Sequence, residues 1–312
     1  MPSPGGEYVD LQVNGYGGVD FNQDDLSAED LHRACEKLEQ DGVGGILATI
    51  ITERLDGMVA RLARLAQLRE RDPLARKLIA GFHVEGPFIN ETAGYRGAHP
   101  LDAVRRASVD DAQRLFDACG GLLKLFTLAP ERDAGMETTR WLAARGVVVS
   151  AGHTDASIDE LSTAADAGLS MFTHVGNGCP MQLHRHDNIV QRALHLRDRL
   201  WLCFIADGVH VPPPALANYL ALAGDRAIVV TDAIAPAGLG PGRYRLARWD
   251  LLIGDDRVAR APDGSHFVGS AITMRQTHAD LRDHLGLSEA RCRQLLVENP
   301  RRAVGLTHSA FA

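Results

Sequence analysis

Basic charge, long apolar runs and paired cysteines are all missing from this chain. Lys and Arg number 33 against 40 Asp and Glu, a formal net charge of −7. That leaves no basic footprint for nucleic acid, so an anionic ligand must be held by local cations. No apolar stretch approaches the roughly 18 residues needed to cross a bilayer, and Met1 to Glu7 has neither the basic start nor the apolar core of a signal peptide. The expected location is the cytoplasm, with no membrane or nucleic-acid partner. Cys35, Cys119, Cys179, Cys203 and Cys292 are odd in number, widely spaced and form no CxxC pair. This excludes a disulfide framework and zinc knuckles, and points to reduced, mostly buried thiols. Low-complexity linkers and close internal repeats are absent as well.

What the chain does have is an alternation of strand-like and helix-like segments. Apolar runs fall at Tyr8 to Val13, Gly45 to Ile51, Leu78 to Glu85, Leu122 to Leu128, Val147 to His153, Met171 to His174, Leu200 to Ala206 and Ala227 to Thr231. Near-continuous apolar strands separated by helices specify parallel pairing with both sheet faces buried. Eight such units close into a (β/α)8 barrel. A length of 312 residues suits one such domain and is short for two. Residues 1–312 therefore read as a single catalytic barrel with a small insertion. Helix starts are marked by the capping box Ser157 to Glu160, by Ser27 and Ser108 each with Asp three positions on, and by Pro212 to Pro214. Gly42, Gly120, Gly146 and Gly168 mark helix ends. Glycines and prolines from Gly238 to Gly269 predict a small β-hairpin after strand eight. Ser288 predicts a further helix cap, and Asn299-Pro300 a break.

Four of the apolar runs end in a residue able to bind metal or handle protons: Glu85, His153, His174 and Asp232. A single His or Asp after a strand is more often a cap or loop residue. Four at the carboxyl ends of barrel strands converge on the face where such barrels carry their chemistry. Glu85, His153 and His174 form a His/His/carboxylate set for a catalytic divalent metal with a position left for water, and Asp232 is the obvious base. Period-two alternation also puts His83 with Glu85, and Gln12 with Asn14, on common faces. Metal-dependent amidohydrolases often carry His-x-His where this chain has Gln12-Val13-Asn14. Amides are poor zinc ligands, which predicts one metal ion rather than two.

In chain order, Val9 to Gly15 (VDLQVNG), His83 to Pro87 (HVEGP), Gly97 to Pro100 (GAHP), Ala151 to Thr154 (AGHT), Thr173-His174 with Asn177, Ala206 to Val211 (ADGVHV), Val230 to Ala233 (VTDA) and Val268 to Ser270 (VGS) resemble the N-acetylglucosamine-6-phosphate deacetylase family of the amidohydrolase superfamily. The resemblance runs from about Tyr8 to Leu306. It implies a TIM barrel that uses a divalent metal, zinc or alternatively ferrous iron, to hydrolyse the acetamide of N-acetylglucosamine 6-phosphate to glucosamine 6-phosphate and acetate. Glu85, His153 and His174 would hold the metal and Asp232 would be general base and acid. His99 would help polarise the acetyl carbonyl, His210 would hold the sugar, and Ala98, Asn177 and Gly178 would line the substrate. Arg185 would bind the phosphate from a neighbouring subunit, which implies a homodimer with shared active sites. Another N-acyl amino sugar, such as N-acetylgalactosamine 6-phosphate, or a cyclic amide on the same barrel are the alternatives. A degenerate, non-enzymatic barrel would lack the ligands.

The chain departs from the family in two respects. It leaves little room for the small β-sandwich that family members build from both chain ends, and Gly178-Cys179-Pro180 replaces the usual Ala-Met after the asparagine. Cys179 lines the predicted site without an activating partner. His184 and His186 flank Arg185 and could assist phosphate binding, although loop histidines are commonly solvated. His32, His195, His278 and His284 fall in helical segments and read as surface residues, and the turn Gly15 to Gly18 as a tight bend bringing backbone near the metal.

Overall fold

The computed structural model describes residues 7–246, 249–254, 258–260 and 269–306. Eight strands, β1 (Tyr8–Val13), β2 (Val43–Ile51), β3 (Ile79–Glu85), β4 (Leu123–Leu128), β5 (Val148–Ala151), β6 (Leu169–Phe172), β7 (Trp201–Ile205) and β8 (Ala227–Val230), pair in chain order. Every pairing is parallel. The sequence predicts this because the runs are apolar on both faces. One face packs against the helices, and Val9, Leu11, Leu47, Leu125, Met171 and Ile228 fill the interior. The protein is a nearly closed TIM barrel.

Closure between β1 and β8 is of a different kind. Among the described residues they share only a parallel bridge, Val13 to Ala233 just past β8, and Asn14 N–H donates to the Ala233 carbonyl at 2.7 Å. The remaining stitches come from a side chain. The buried Asp10 carboxylate accepts the Thr231 N–H and hydroxyl from across the seam, and the Gln12 N–H at 3.2 Å on its own strand. This is where the β1 register slips. Burial pushes the Asp10 carboxyl up to about 6 against the opposing pull of the Thr231 hydrogen bonds.

Ser27, Ser108 and Ser157 cap the helices Ala28–Gln40, Val109–Ala118 and Ile158–Asp166, the last through a full capping box. Proline opens the helix Pro213–Ala223, and Ser288 caps Glu289–Arg293. The expected break at Asn299-Pro300 does not occur. Helix continues from Glu289–Arg293 through a π-helical stretch, Gln294–Glu298, into Asn299–Ala303. Pro300 stands in the first turn of that last piece, directly after the π-helical stretch.

The predicted hairpin carries a third strand. Gly242–Leu246 pairs antiparallel with Trp249–Ile253, which pairs antiparallel with Ala259–Arg260. Positions 247–248, 255–257 and 261–268 of the predicted insertion, Val268 of the VGS motif included, lie outside the described residues. Leu251, Ile253 and Ala259 pack on Ile51, Ile234, Ala271 and Ala98 beside the barrel mouth. No β-sandwich accompanies the barrel among the described residues, and no described helix is long and apolar enough to cross a membrane.

Candidate metal and acid–base site

Glu85 ends β3, and His153, His174 and Asp232 each stand two residues beyond β5, β6 and β8. The last three have left-handed backbones, with φ of 52°, 32° and 52°. Met136 is the single other non-glycine residue of that kind among those described. Such a conformation costs about 1–3 kcal/mol for an L-residue and persists only where its surroundings over-determine it, as at active sites. Here the turnover past each strand end swings the side chain across the barrel mouth.

The side chains meet there. His153 Nε2 lies 3.1 Å and His174 Nε2 2.9 Å from Glu85 Oε1, and His99 Nε2 lies 3.2 Å from His153 Nε2. His153 donates its Nδ1–H to the Tyr95 carbonyl at 2.8 Å, so in the neutral ring Nε2 carries the lone pair and faces a carboxylate oxygen. Two buried lone pairs at that distance repel unless a cation or proton stands between them. The donor chemistry therefore fits a divalent metal, with the carbonyl of Tyr95 fixing the ligand tautomer. The atoms of Glu85, His99 and His153 all lie within 4.8 Å of one another, and His174 joins the group through Glu85. The ring of His99, which the sequence assigned to the substrate carbonyl, packs edge-on against His153, inside the donor cluster.

Electrostatics follow from burial and these contacts. Burial raises Glu85, but hydrogen bonds and charge from His153 and His174 outweigh it and hold the carboxyl well below its ordinary value. Burial opposes charge on His174, and the Glu85 contact reverses this, so its pKa is raised. His99 is pushed down to about 3 by burial and by His153. Burial, then the Glu85 carboxylate, push Asp232 up to about 7.

Gln12 and Asn14, read in sequence only as residues that exclude a second metal, hold the two carboxylates. Gln12 Nε2 donates to both Glu85 oxygens, each at 3.1 Å, and Asn14 Nδ2 donates to Asp232 Oδ1 at 2.8 Å. A buried chain, missed in the sequence, runs beneath: His83 Nε2 to Thr127 Oγ1 at 2.8 Å, Thr127 to Thr173 and Thr173 to Ser150, each at 2.7 Å. Hydroxyl residues inside otherwise apolar strands were the available signal. The turn Gly15 to Gly18 lies along the chain after Asp232, with N–H groups donating to Ala233, Ala235 and Ala237 carbonyls, rather than at the donor cluster. A Cβ on Gly15 would stand 2.4 Å from the Val19 carbonyl.

The loop residues divide. Asn177 is tied through its N–H to the His174 carbonyl, and its Nδ2 is buried without a partner among the described residues. His210 Nδ1 lies 2.6 Å from Asp207 Oδ2, and Asp207 Oδ1 also accepts the Val209 and His210 N–H groups. Ala98 packs under the small sheet. Arg185 is exposed and forms no ion pair among the described residues, His186 is exposed beside it, and His184 Nδ1 accepts the Asp187 N–H. Met181 on the same loop is 98% exposed. His32, His195 and His284 are exposed, but His278 is half-buried against the Tyr8 hydroxyl at 2.7 Å, because its helix Met274–Asp283 packs over the start of β1. A cavity of about 270 Å³ beside Asp207, Leu216 and His284 is lined by none of Glu85, His153, His174 or Asp232, so the chemistry lies elsewhere.

Gly178 supports the cluster from behind. A Cβ there would lie 2.8 Å from His153 Nδ1, and its φ of +60° disfavours any side chain. Gly178→Ala should weaken metal affinity about 10- to 100-fold while the barrel stays folded, as loss of support around a ligand histidine typically does. Unchanged affinity in a chelator competition would contradict that packing role.

No family model matches the chain. It is 30% identical over 301 residues to the N-acetylglucosamine-6-phosphate deacetylase of Bacillus subtilis, covering 96% of this chain and 74% of that one. The chain belongs to the N-acetylglucosamine-6-phosphate deacetylase family. It is also 30% identical over 302 residues to an N-acetylgalactosamine-6-phosphate deacetylase of Escherichia coli O157:H7, covering 96% and 77%. Among solved structures of the family, a point mutant of the Mycobacterium smegmatis enzyme in complex with N-acetyl-D-glucosamine-6-phosphate superposes with a TM-score of 0.85, at 30% identity over 97% of this chain and 78% of that one. The family enzyme from Pasteurella multocida gives a TM-score of 0.85 at 26% identity, with 97% and 77% covered.

Proposed function

We propose that this family member hydrolyses the acetamide of N-acetylglucosamine 6-phosphate, giving glucosamine 6-phosphate and acetate. The observation that carries the reading is the convergence of Glu85, His153 and His174 around one point, with Asp232 beside them and three of the four on left-handed backbone. A divalent cation, zinc first and ferrous iron second, supplies Lewis-acid activation of water and of the acetyl carbonyl when bound to Glu85, His153 and His174. Asp232 takes the proton of the attacking water and returns it to the nitrogen as the C–N bond breaks. His99, kept neutral by burial, offers an N–H to the developing oxyanion. His210, oriented by Asp207, holds the sugar, with Asn177, Gly178 and Ala98 lining it. Residues 1–312 act as one catalytic unit, and the five free thiols suit a reducing cytoplasm.

Acetate release across a panel tests the substrate. N-acetylglucosamine 6-phosphate should turn over faster than N-acetylgalactosamine 6-phosphate, unphosphorylated N-acetylglucosamine or a cyclic amide; turnover of the cyclic amide alone would replace the reading. N-acetylgalactosamine 6-phosphate is the runner-up, because the Escherichia coli relative carries that name and Gly178-Cys179-Pro180 alters the pocket.

Exposure of Arg185 suits a homodimer in which it reaches the partner's phosphate. Arg185→Ala should weaken phosphorylated substrate by roughly 1.5–3 kcal/mol and leave an unphosphorylated sugar almost untouched. Equal losses on both would make Arg185 structural. Mixing Arg185→Ala with Asp232→Asn subunits should restore one working site per mixed dimer; no recovery after proven exchange would put Arg185 in its own subunit's pocket.

A further inference from the structure

Asn14 has two ends, and the structure accounts for one of them. Its Nδ2 donates to Asp232 Oδ1 at 2.8 Å. Turning the amide over would set oxygen against carboxylate oxygen, so this orientation is fixed by charge. Its carbonyl Oδ1 is then buried with no partner among the described residues, in a residue only 2% exposed. A buried carbonyl without a donor is costly, and it is retained here against an active-site carboxylate.

The residue cannot swing away. Its N–H donates to the Ala233 carbonyl, and its own carbonyl accepts from Phe21 N–H at 2.9 Å and Asn22 Nδ2 at 3.3 Å. The Asp232 carbonyl accepts from Ser270 N–H at 3.0 Å. Base and amide form a rigid pair, and the atom Asp232 protonates must lie beside that pair.

Resting on the deacetylase reading, we propose that Asn14 is the residue that makes the site selective for amides: Nδ2 fixes Asp232 Oδ1 and leaves Oδ2 for proton transfer, while Oδ1 accepts the N–H of the scissile amide and then of the departing amine. The water oxygen bonds to the acetyl carbon, its proton passes to Asp232, and the C–N bond breaks as that proton reaches nitrogen. The nitrogen keeps its original hydrogen throughout and Asn14 changes neither charge nor bonding. An ester oxygen has no hydrogen to offer Oδ1.

The test compares an N-acetyl substrate with its O-acetyl counterpart on the same phosphorylated sugar, for wild type, Asn14→Leu and the smaller Asn14→Ala, after metal content and melting temperature are checked. Lost positioning of Asp232 slows both substrates. The lost acceptor slows the amide alone, so the ratio of kcat/KM for amide over ester should fall at least about tenfold. An unchanged ratio, whether both rates fall equally or neither falls, overturns the proposal. A wild-type protein that hydrolyses the ester but no N-acetyl sugar phosphate would refute the deacetylase reading itself, a result distinct from an unchanged ratio.

Discussion

Asp232→Asn should lower kcat by at least about a hundredfold, the usual contribution of positioned proton transfer, and should leave fold and metal content intact. The replacement is nearly isosteric and its Oδ1 still accepts from Asn14 Nδ2, so neither packing nor the clasp at the barrel mouth is disturbed. What disappears is the basic oxygen. The pH dependence of the wild type carries the same signature. Burial and Glu85 push Asp232 up to about 7, and only its ionised form accepts a proton. The kcat/KM of the wild type therefore rises with pH along an acid limb and levels off above it. A bound cation favours the carboxylate, so the limb falls at or below that value. Near wild-type turnover in the variant would move the base elsewhere. His83, held by Thr127 and by Thr49 at 3.4 Å, and His210, held by Asp207 at 2.6 Å, would be next in line.

His153→Ala and His174→Ala should each abolish activity and metal binding together. Either change removes one of two imidazoles directed at the same Glu85 oxygen, and a three-residue site seldom keeps its ion with two ligands. Elemental analysis of protein purified without chelator reads the outcome directly. Wild type should hold one ion per chain, because the amides of Gln12 and Asn14 are poor ligands for zinc where dinuclear relatives place histidines. Full occupancy in both variants would sink the assignment.

The barrel was legible because its strands are apolar on both faces and each apolar run announces itself. What the runs conceal is where the backbone turns over. The sequence carried strands five and six through to His153 and His174, whereas β5 ends at Ala151 and β6 at Phe172. Gly152 and Thr173 still hydrogen-bond to the neighbouring strands after β5 and β6 end, and a left-handed backbone is only a preference of His and Asp that does not mark one position. Glu85, His153, His174 and Asp232 could be found because ligand chemistry needs those side chains at strand ends. The work of Gln12 and Asn14 could not, since an amide in place of a ligand says what is lost and not which carboxylate it will hold. The entry of His99 into the donor cluster is likewise a matter of loop packing around Tyr95 and Gly97, and a third strand of two residues in the insertion is too short to have a pattern. The Asn299-Pro300 dipeptide misled because proline marks a helix start as readily as a stop.

The side-chain clasp between Asp10 and Thr231 has a bearing on how the enzyme fails. The other neighbouring strands are joined by ladders of more than one residue pair, but a seam held by one β-bridge, the Asp10 carboxylate and the links of Asn14 and the turn after it is the place for a local opening of lower free energy. That opening would carry Gln12 and Asn14 away on one side and Asp232 on the other. Heat or mild denaturant would thus take the catalytic apparatus apart while most of the barrel still holds its native hydrogen bonds, and inactivation would run ahead of unfolding.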